Sequence, residues 1–175
     1  MLKIFQKKYS EEDLFLFNFL RKNRLFEKLS DDELSYLAPY LYLRKYHENE
    51  VVFFTGDPSN ALYIIKSGLV ALNLDVKNDF EKLETLRSGR LFGDNALLKE
   101  TKRIYTAIVV TEEAELYVIP KANLMEVMND HVEVKAKLMA AFAEMYNEYM
   151  TNLFKTYKSS LGFFDLGTVY TDMKL

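Results

Sequence analysis

Between residues 40 and 120 the chain alternates short apolar runs with turn residues, and this pattern restricts the fold more than any other feature. The runs are rich in Val, Ile, Tyr and Leu and recur at roughly the 8–12 residue spacing typical of an antiparallel barrel or sandwich. Glycine stands in several of the breaks, as in Gly56-Asp57-Pro58-Ser59 and Ser67-Gly68. The predicted strands are Leu41–Tyr46, Val51–Phe54, Leu62–Ile65, Leu69–Val76, Lys82–Leu86, Arg103–Val110 and Glu115–Ile119.

Helical patterns flank this region on both sides. Ser10 and Ser30 each precede an acidic stretch typical of the first turn of a helix. After Pro120 the helical period returns and predicts helices over 121–130 and 132–157. The predicted fold class is therefore α+β: a small antiparallel β-barrel (a double-stranded β-helix, jelly-roll-like) flanked by N-terminal helices and a long C-terminal helix. The predicted divisions are 1–39 for the N-terminal helices, 40–120 for the barrel, 121–158 for a hinge helix and the long helix, and 159–175 for a tail without an assigned role.

The predicted long helix carries an apolar stripe close to a heptad pattern. Its positions are Val134, Leu138, Phe142, Met145, Tyr149 and Leu153. Because the stripe runs longer than a barrel of this size can cover, it predicts a homodimer formed through this helix. Packing of the helix on its own barrel is the alternative.

Composition excludes several classes of function. Net charge is −3 and no basic block is present, so we expect no nucleic-acid partner. No apolar run approaches the roughly 18 residues of a membrane span, and the first residues lack a secretory signal, so we expect no membrane contact and a cytoplasmic location. The absence of cysteine removes disulfides and thiol catalysis. The two histidines share no motif, so we expect no metal site, no cofactor and no catalytic residues.

The segment Phe92–Ala107 (FGDNALLKETKRIYTA) has residue types in the order suited to binding a small, buried phosphate ester. Gly93 lets the backbone come close to a ligand because it has no Cβ. The turn that follows presents free amide N–H groups to an anion. Arg103 adds a planar and permanently charged fork.

Four ordered segments resemble the cyclic-nucleotide-binding domain family, which is shared by catabolite-activator-type regulators, protein kinase A regulatory subunits and gated channels. The resemblance covers about residues 25–155. The matching segments are Gly56-Asp57-Pro58 with Leu62-Tyr63-Ile64-Ile65 and Gly68-Leu69-Val70, then Leu86–Asp94, then Ala96-Leu97-Leu98 with Arg103 and Thr106-Ala107, and finally Glu115–Pro120.

The resemblance implies a ligand, cyclic AMP or another cyclic nucleotide, and a site for it. Amides after Gly93 and around Ile104 would hold the cyclic phosphate, with Arg103 as its counter-charge. Asp94 stands where the family places a glutamate on the ribose 2′-hydroxyl. The long helix would close over the base. The implied ligand-binding residues are Gly93, Asp94, Asn95, Ala96, Arg103 and Ile104 at the phosphate and ribose, Leu72, Leu83 and Leu86 along the base and sugar, and Phe142 as a lid residue beside Met139 and Tyr146.

Three functions remain open from the sequence. The first is a stand-alone, non-enzymatic cyclic-nucleotide sensor that couples the phosphate-binding cassette to movement of the C-terminal helix and signals to a downstream protein not identified by the sequence. The second is a degenerate domain that acts in dimerisation or as an adaptor, because Ile104 and Tyr105 replace the small residues usual in the family. The third, an enzyme on a cupin-type barrel, lacks the required metal ligands and acid–base pair.

Overall fold

The computed structural model describes residues 9–76 and 79–159 of the 175-residue chain. Two four-stranded antiparallel sheets lie at its centre, in the orders β1-β8-β3-β6 and β2-β7-β4-β5. The strands are β1 (Tyr42–His47), β2 (Val51–Phe53), β3 (Ala61–Ser67), β4 (Val70–Val76), β5 (Asp79–Leu86), β6 (Leu91–Phe92), β7 (Thr106–Val109) and β8 (Glu113–Pro120).

The inner faces of the two sheets pack against each other. Ile65, Phe92 and Leu116 from the first sheet form one buried cluster with Val70 and Val109 from the second. The antiparallel, jelly-roll-like prediction is confirmed. The described strands form a sandwich and not the closed barrel we expected, because no pairing joins a strand of one sheet to a strand of the other.

The predicted helices are present on both sides of the β region. They are α1 (Glu11–Leu20), α2 (Asp31–Leu37), α3 (Lys121–Asp130) and α4 (Val132–Ser159). Ser10 and Ser30 precede α1 and α2 in complete capping boxes. The serine hydroxyl accepts from the amide of the acid three residues later, and the carboxylate of that acid accepts from the serine amide.

The helices cover the outer face of the first sheet. Leu62 and Ile119 of that sheet belong to a second buried cluster with Phe17, Leu124 and Leu138 from the helices. This cluster also contains Leu97, four residues after Gly93, and so connects the 92–107 segment to the helices.

The apolar stripe of α4 divides into two parts. Its first four positions, Val134 to Met145, are buried against the same chain. Tyr149 and Leu153 lie beyond that contact and are 53% and 55% exposed. Ion pairs of Lys137 with Glu33 and of Lys28 with Glu144 help to hold the first part of the helix in place.

No helix in residues 9–76 and 79–159 combines the length and the apolar character needed to cross a bilayer. The predicted tail, 159–175, lies outside the described residues except for Ser159, which ends α4.

Candidate functional site

A left-handed glycine starts the turn that the sequence assigned to phosphate binding. Gly93 has φ +72° and leads from β6 into a 3-10 turn, Asp94–Leu97. A Cβ added to Gly93 would lie 2.5 Å from Nη1 of Arg103 and 3.3 Å from the Ala61 carbonyl oxygen. Glycine is therefore required here both by the backbone angle and by the close approach of the arginine.

Arg103 lies inside the protein and donates hydrogen bonds to carbonyl groups of Gly93 and Ala61. Nη1 donates to the Gly93 carbonyl oxygen at 3.0 Å and to Oδ1 of Asn95 at 3.2 Å. Nη2 donates to the Ala61 carbonyl oxygen at 2.6 Å. The guanidinium carbon stands 4.1 Å from the centre of the Phe53 ring, within the range of a cation–π contact.

The positive charge of Arg103 is incompletely compensated. The residue is 4% exposed, and its Nε is buried without a hydrogen-bond partner among the described residues. None of the salt bridges found in this part of the chain includes it. Burial lowers the pKa of the guanidinium, while the nearby Asp94 carboxylate favours the charged form. One N–H of a buried cation therefore still lacks an acceptor.

Arg103 is positioned by main-chain hydrogen bonds that precede β7. Its amide donates to the Asp57 carbonyl at 2.8 Å, and its carbonyl accepts from the Gly56 amide at 2.8 Å. We predicted a strand from Arg103 onward, but β7 begins at Thr106. Residues 103–105 instead form a bend tied to the 56–59 loop.

Asn95 ties the glycine turn to its surroundings. Its Oδ1 accepts from the hydroxyl of Ser59 at 2.6 Å, and its Nδ2 donates to the Lys102 carbonyl at 2.7 Å. The hydroxyl of Thr101 donates to the Asn95 carbonyl at 2.7 Å. Asn95 was predicted as a ligand-binding residue, and these contacts give its side chain a positioning role in the turn.

The structure also identifies site residues that sequence reasoning missed. Ala61 and Phe53 contact the guanidinium, and Ser59, which is 1% exposed, supports Asn95. The only signal for them in the sequence was their place beside the Gly56-Asp57-Pro58 turn, which matches the family pattern.

Tyr105 points toward the glycine turn. Its hydroxyl accepts the amide N–H of Gly93 at 2.9 Å, and its ring centre lies 5.7 Å from that of Phe53. The side chain is half-buried, and burial, with the Asp94 charge second, raises the pKa of the phenol well above its usual value. The hydroxyl is therefore neutral near pH 7.

Asp94 is half-buried at the start of the 3-10 turn. Burial raises the pKa of its carboxyl, and the amides of Asp94 and Asn95 oppose this by stabilising the charged form. Its charge reaches α4: burial first and Asp94 second raise the pKa of Tyr146 to about 12. The turn and the middle of α4 are therefore close enough to interact electrostatically.

The other predicted ligand residues are spread over two clusters. Leu72 and Leu86 are buried between the sheets, whereas Phe142 is buried among the helices and lies 4.3 Å from the Tyr146 ring. Leu83 is 50% exposed and lies on β5, an edge strand whose residues 80–85 are all exposed. Ala96 is fully buried and Ile104 is 66% exposed. Contact of these residues with a cyclic nucleotide stays a prediction.

A cleft of about 330 Å³ opens beside the site, between α4 and the turn after α1. Arg24, Arg90 and Tyr149 are among its lining residues, and it does not include the predicted phosphate-binding residues. In the described ranges, no group of three or more His, Asp or Glu side chains is arranged to hold a metal ion.

Comparison with known proteins identifies the family of this chain. The family model named "Cyclic nucleotide-binding domain" matches residues 43–131, just over half of the chain. The chain belongs to the cyclic nucleotide-binding domain family. The match extends from β1 to the end of α3 and contains the glycine turn, Arg103 and Tyr105.

Members of this family and related folds resemble the chain over most of its length. The cyclic AMP receptor protein of Thermus thermophilus is 28% identical over 130 residues, which are 74% of this chain and 60% of that protein. The crystal structure of the N-terminal domain of a transcriptional regulator from Streptomyces coelicolor superposes with a TM-score of 0.67 at 25% identity, covering 75% of this chain and 94% of that one.

One similar protein is named as an enzyme. Glutaminase 1 of Bradyrhizobium diazoefficiens is 29% identical over 126 residues, which are 72% of this chain but only 20% of that protein. So small a share of the enzyme does not show enzymatic activity here. The fold of the cyclic nucleotide-binding family is typically regulatory and non-catalytic, which supports a ligand-binding regulatory role for this chain.

Proposed function

We propose that the chain is a non-enzymatic sensor that binds a cyclic nucleotide at the Gly93 turn and Arg103 and transmits the binding to α4. The main support for this proposal is the buried Nε of Arg103, which has no hydrogen-bond acceptor among the described residues. Cyclic AMP is the first candidate, because the chain lacks the hydroxyl after Arg103 that favours guanine in the family.

The charge of Arg103 favours an anionic ligand. Removing a cation from water costs several kcal/mol unless an opposite charge and hydrogen bonds compensate it. Two main-chain carbonyls and an aromatic ring compensate it only in part. A phosphodiester oxygen on Nε would add both the missing acceptor and the missing charge.

The main chain beside Arg103 offers a further donor to the same anion. The amide of Ile104 makes no main-chain hydrogen bond to another described residue. The amides of Asp94 and Asn95 instead stabilise the charged form of the Asp94 carboxyl. A cyclic phosphate at Nε is therefore expected to accept a hydrogen bond from the Ile104 amide as well.

Movement of the turn can reach the helices by two routes. Leu97, in the turn, packs in the same buried cluster as Leu124 of α3 and Leu138 of α4. Lys121, the first residue of α3, donates to the Leu98 carbonyl. A ligand that pulls the turn inward would shift α3 and α4 to the extent that it binds the two arrangements with different affinity.

Binding of the nucleotide to the wild-type chain is the test of this function. A ligand at a hundred times its Kd stabilises the native state by about 2.7 kcal/mol. For a chain of this size we expect cyclic AMP to raise Tm by about 5–10 °C at that concentration. Adenosine, which lacks the phosphate, is the matched control and leaves Tm unchanged. Unchanged melting and flat calorimetric traces at millimolar cyclic AMP and cyclic GMP would contradict the proposal.

We also propose that α4 forms a homodimer through its second part. Tyr149, Met150 and Leu153 are each about half exposed and share one face of the helix beyond its contact with the domain. Light scattering at tens of micromolar should give twice the 20.5 kDa chain mass. Leu153→Lys should halve it, whereas Thr151→Lys, on the opposite face, should not. A monomeric mass for the wild type would contradict the dimer.

A second candidate function is that of an adaptor that binds no nucleotide. The hydrogen bond from the Gly93 amide to the Tyr105 hydroxyl favours it, because that amide is already occupied. The uncompensated Nε of Arg103 argues against it, since an adaptor gains nothing from a buried charge without an acceptor.

A further inference from the structure

The phenol of Tyr105 occupies the amide donor of Gly93, at the start of the turn that we propose binds the phosphate. Its oxygen is 2.9 Å from the Gly93 nitrogen, and its ring packs against Phe53, the same ring that faces the guanidinium of Arg103. We propose that Tyr105 is an internal competitor for the ligand's phosphate group and sets the affinity of the site. This inference rests on the proposed function.

The competition arises because the Gly93 amide can donate only one good hydrogen bond. The Gly93 amide has a single N–H, so a good hydrogen bond to the phenol and one to a phosphate oxygen exclude each other. A charged phosphate oxygen makes a hydrogen bond about twice as strong as a neutral one. A bound phosphate therefore displaces the phenol, and the displacement subtracts from the affinity.

The main chain on both sides of Tyr105 is held independently of its side chain. Arg103 is fixed on one side by main-chain bonds to Gly56 and Asp57, and β7 begins on the other side at Thr106. Rotation of the partly exposed phenol toward solvent breaks its contacts with the Phe53 ring and the Gly93 amide. It leaves both main-chain anchors intact.

The side chains of the 103–105 bend point in different directions. Arg103 is buried, Ile104 is 66% exposed, and the Tyr105 hydroxyl reaches the Gly93 amide. A residue with a small side chain at 105 would leave the Gly93 amide uncovered. The tyrosine fills that space and supplies an oxygen at hydrogen-bond distance.

Tyr105→Phe tests the competition, because it keeps the ring and removes the oxygen. Breaking the hydrogen bond is worth about threefold to tenfold in an equilibrium constant, so cyclic AMP should bind this variant tighter by that factor. Tyr105→Ala, which also removes the ring, should bind at least as tightly as the phenylalanine variant. Tyr46→Phe is the matched control: Tyr46 packs against the same cluster outside the site and should leave Kd unchanged.

A second readout needs no ligand. In the free protein, amide hydrogen exchange at Gly93, measured by NMR, should be faster in Tyr105→Phe than in the wild type and unchanged in Tyr46→Phe. Equal exchange at Gly93 in all three proteins would overturn the inference, whatever the nucleotide result.

The two readouts separate the inference from the function on which it rests. Equal or weaker binding of cyclic AMP by Tyr105→Phe, with a wild type that binds, would overturn the competition and leave the sensor proposal standing. If the wild type, Tyr105→Phe and Tyr105→Ala all failed to bind cyclic AMP, both the competition and the sensor function would be overturned. Tighter binding together with faster exchange at Gly93 supports both.

Discussion

Gly93→Ala is expected to lower the free energy of unfolding by about 2.5–5 kcal/mol and to abolish nucleotide binding. The left-handed backbone alone costs a residue with a side chain about 1–2 kcal/mol. The new Cβ would also lie 2.5 Å from Nη1 of Arg103, so the guanidinium must move away from the Gly93 carbonyl. Loss of a hydrogen bond from a charged group adds about 1.5–3 kcal/mol.

Gly89→Ala is the matched control for this substitution. Gly89 has φ +83°, similar to that of Gly93, but a Cβ there meets no atom within 4 Å. It should therefore show only the backbone cost, about 1–2 kcal/mol in chemical denaturation, and retain binding. Equal destabilisation by the two substitutions would show that the position of Arg103 does not depend on the missing Cβ of Gly93.

Local sequence signals were enough to predict most of the fold. The capping boxes at Ser10 and Ser30 depend on residues three positions apart, and the strands follow from an apolar pattern within each run. The strand boundary before β7 was wrong because Arg103 pairs with the 56–59 loop, a contact made across more than 40 residues. Leu83 is exposed because β5 is the edge strand of its sheet, and the order of strands depends on pairing between distant segments.

The site was predictable in its residue types and not in its contacts. Gly93 and Arg103 were found from their chemistry and spacing, and the structure brings them to hydrogen-bond distance. The Ala61 carbonyl that holds Nη2 is 42 residues away in the chain and carries no side-chain signal. The direction of Tyr105 depends on how the 103–105 bend is anchored, which a one-dimensional pattern does not contain.

Arg103→Lys is expected to weaken binding of cyclic AMP by about tenfold to a hundredfold. Lysine keeps the positive charge, but a single ammonium cannot hold the Gly93 and Ala61 carbonyls and also present a donor in the position of Nε. The loss of one hydrogen bond between charged groups accounts for an effect of this size. Calorimetry with cyclic AMP measures it.

Arg44→Lys is the matched control, because Arg44 is exposed on β1 and should leave Kd unchanged. Equal affinity of the wild type and Arg103→Lys, with both proteins folded, would show that the arginine does not contact the phosphate. Its role would then be confined to holding the turn.

The Nε–H resonance of Arg103 reports directly on whether a phosphate oxygen binds this nitrogen, and its absence from the spectrum of Arg103→Lys assigns it. In the free protein this N–H is buried without an acceptor among the described residues. On saturation with cyclic AMP the proton resonance should move downfield and its exchange with water should slow, as a phosphate oxygen becomes its acceptor. A resonance that stays in place at saturating cyclic AMP would show that the phosphate does not bind Nε.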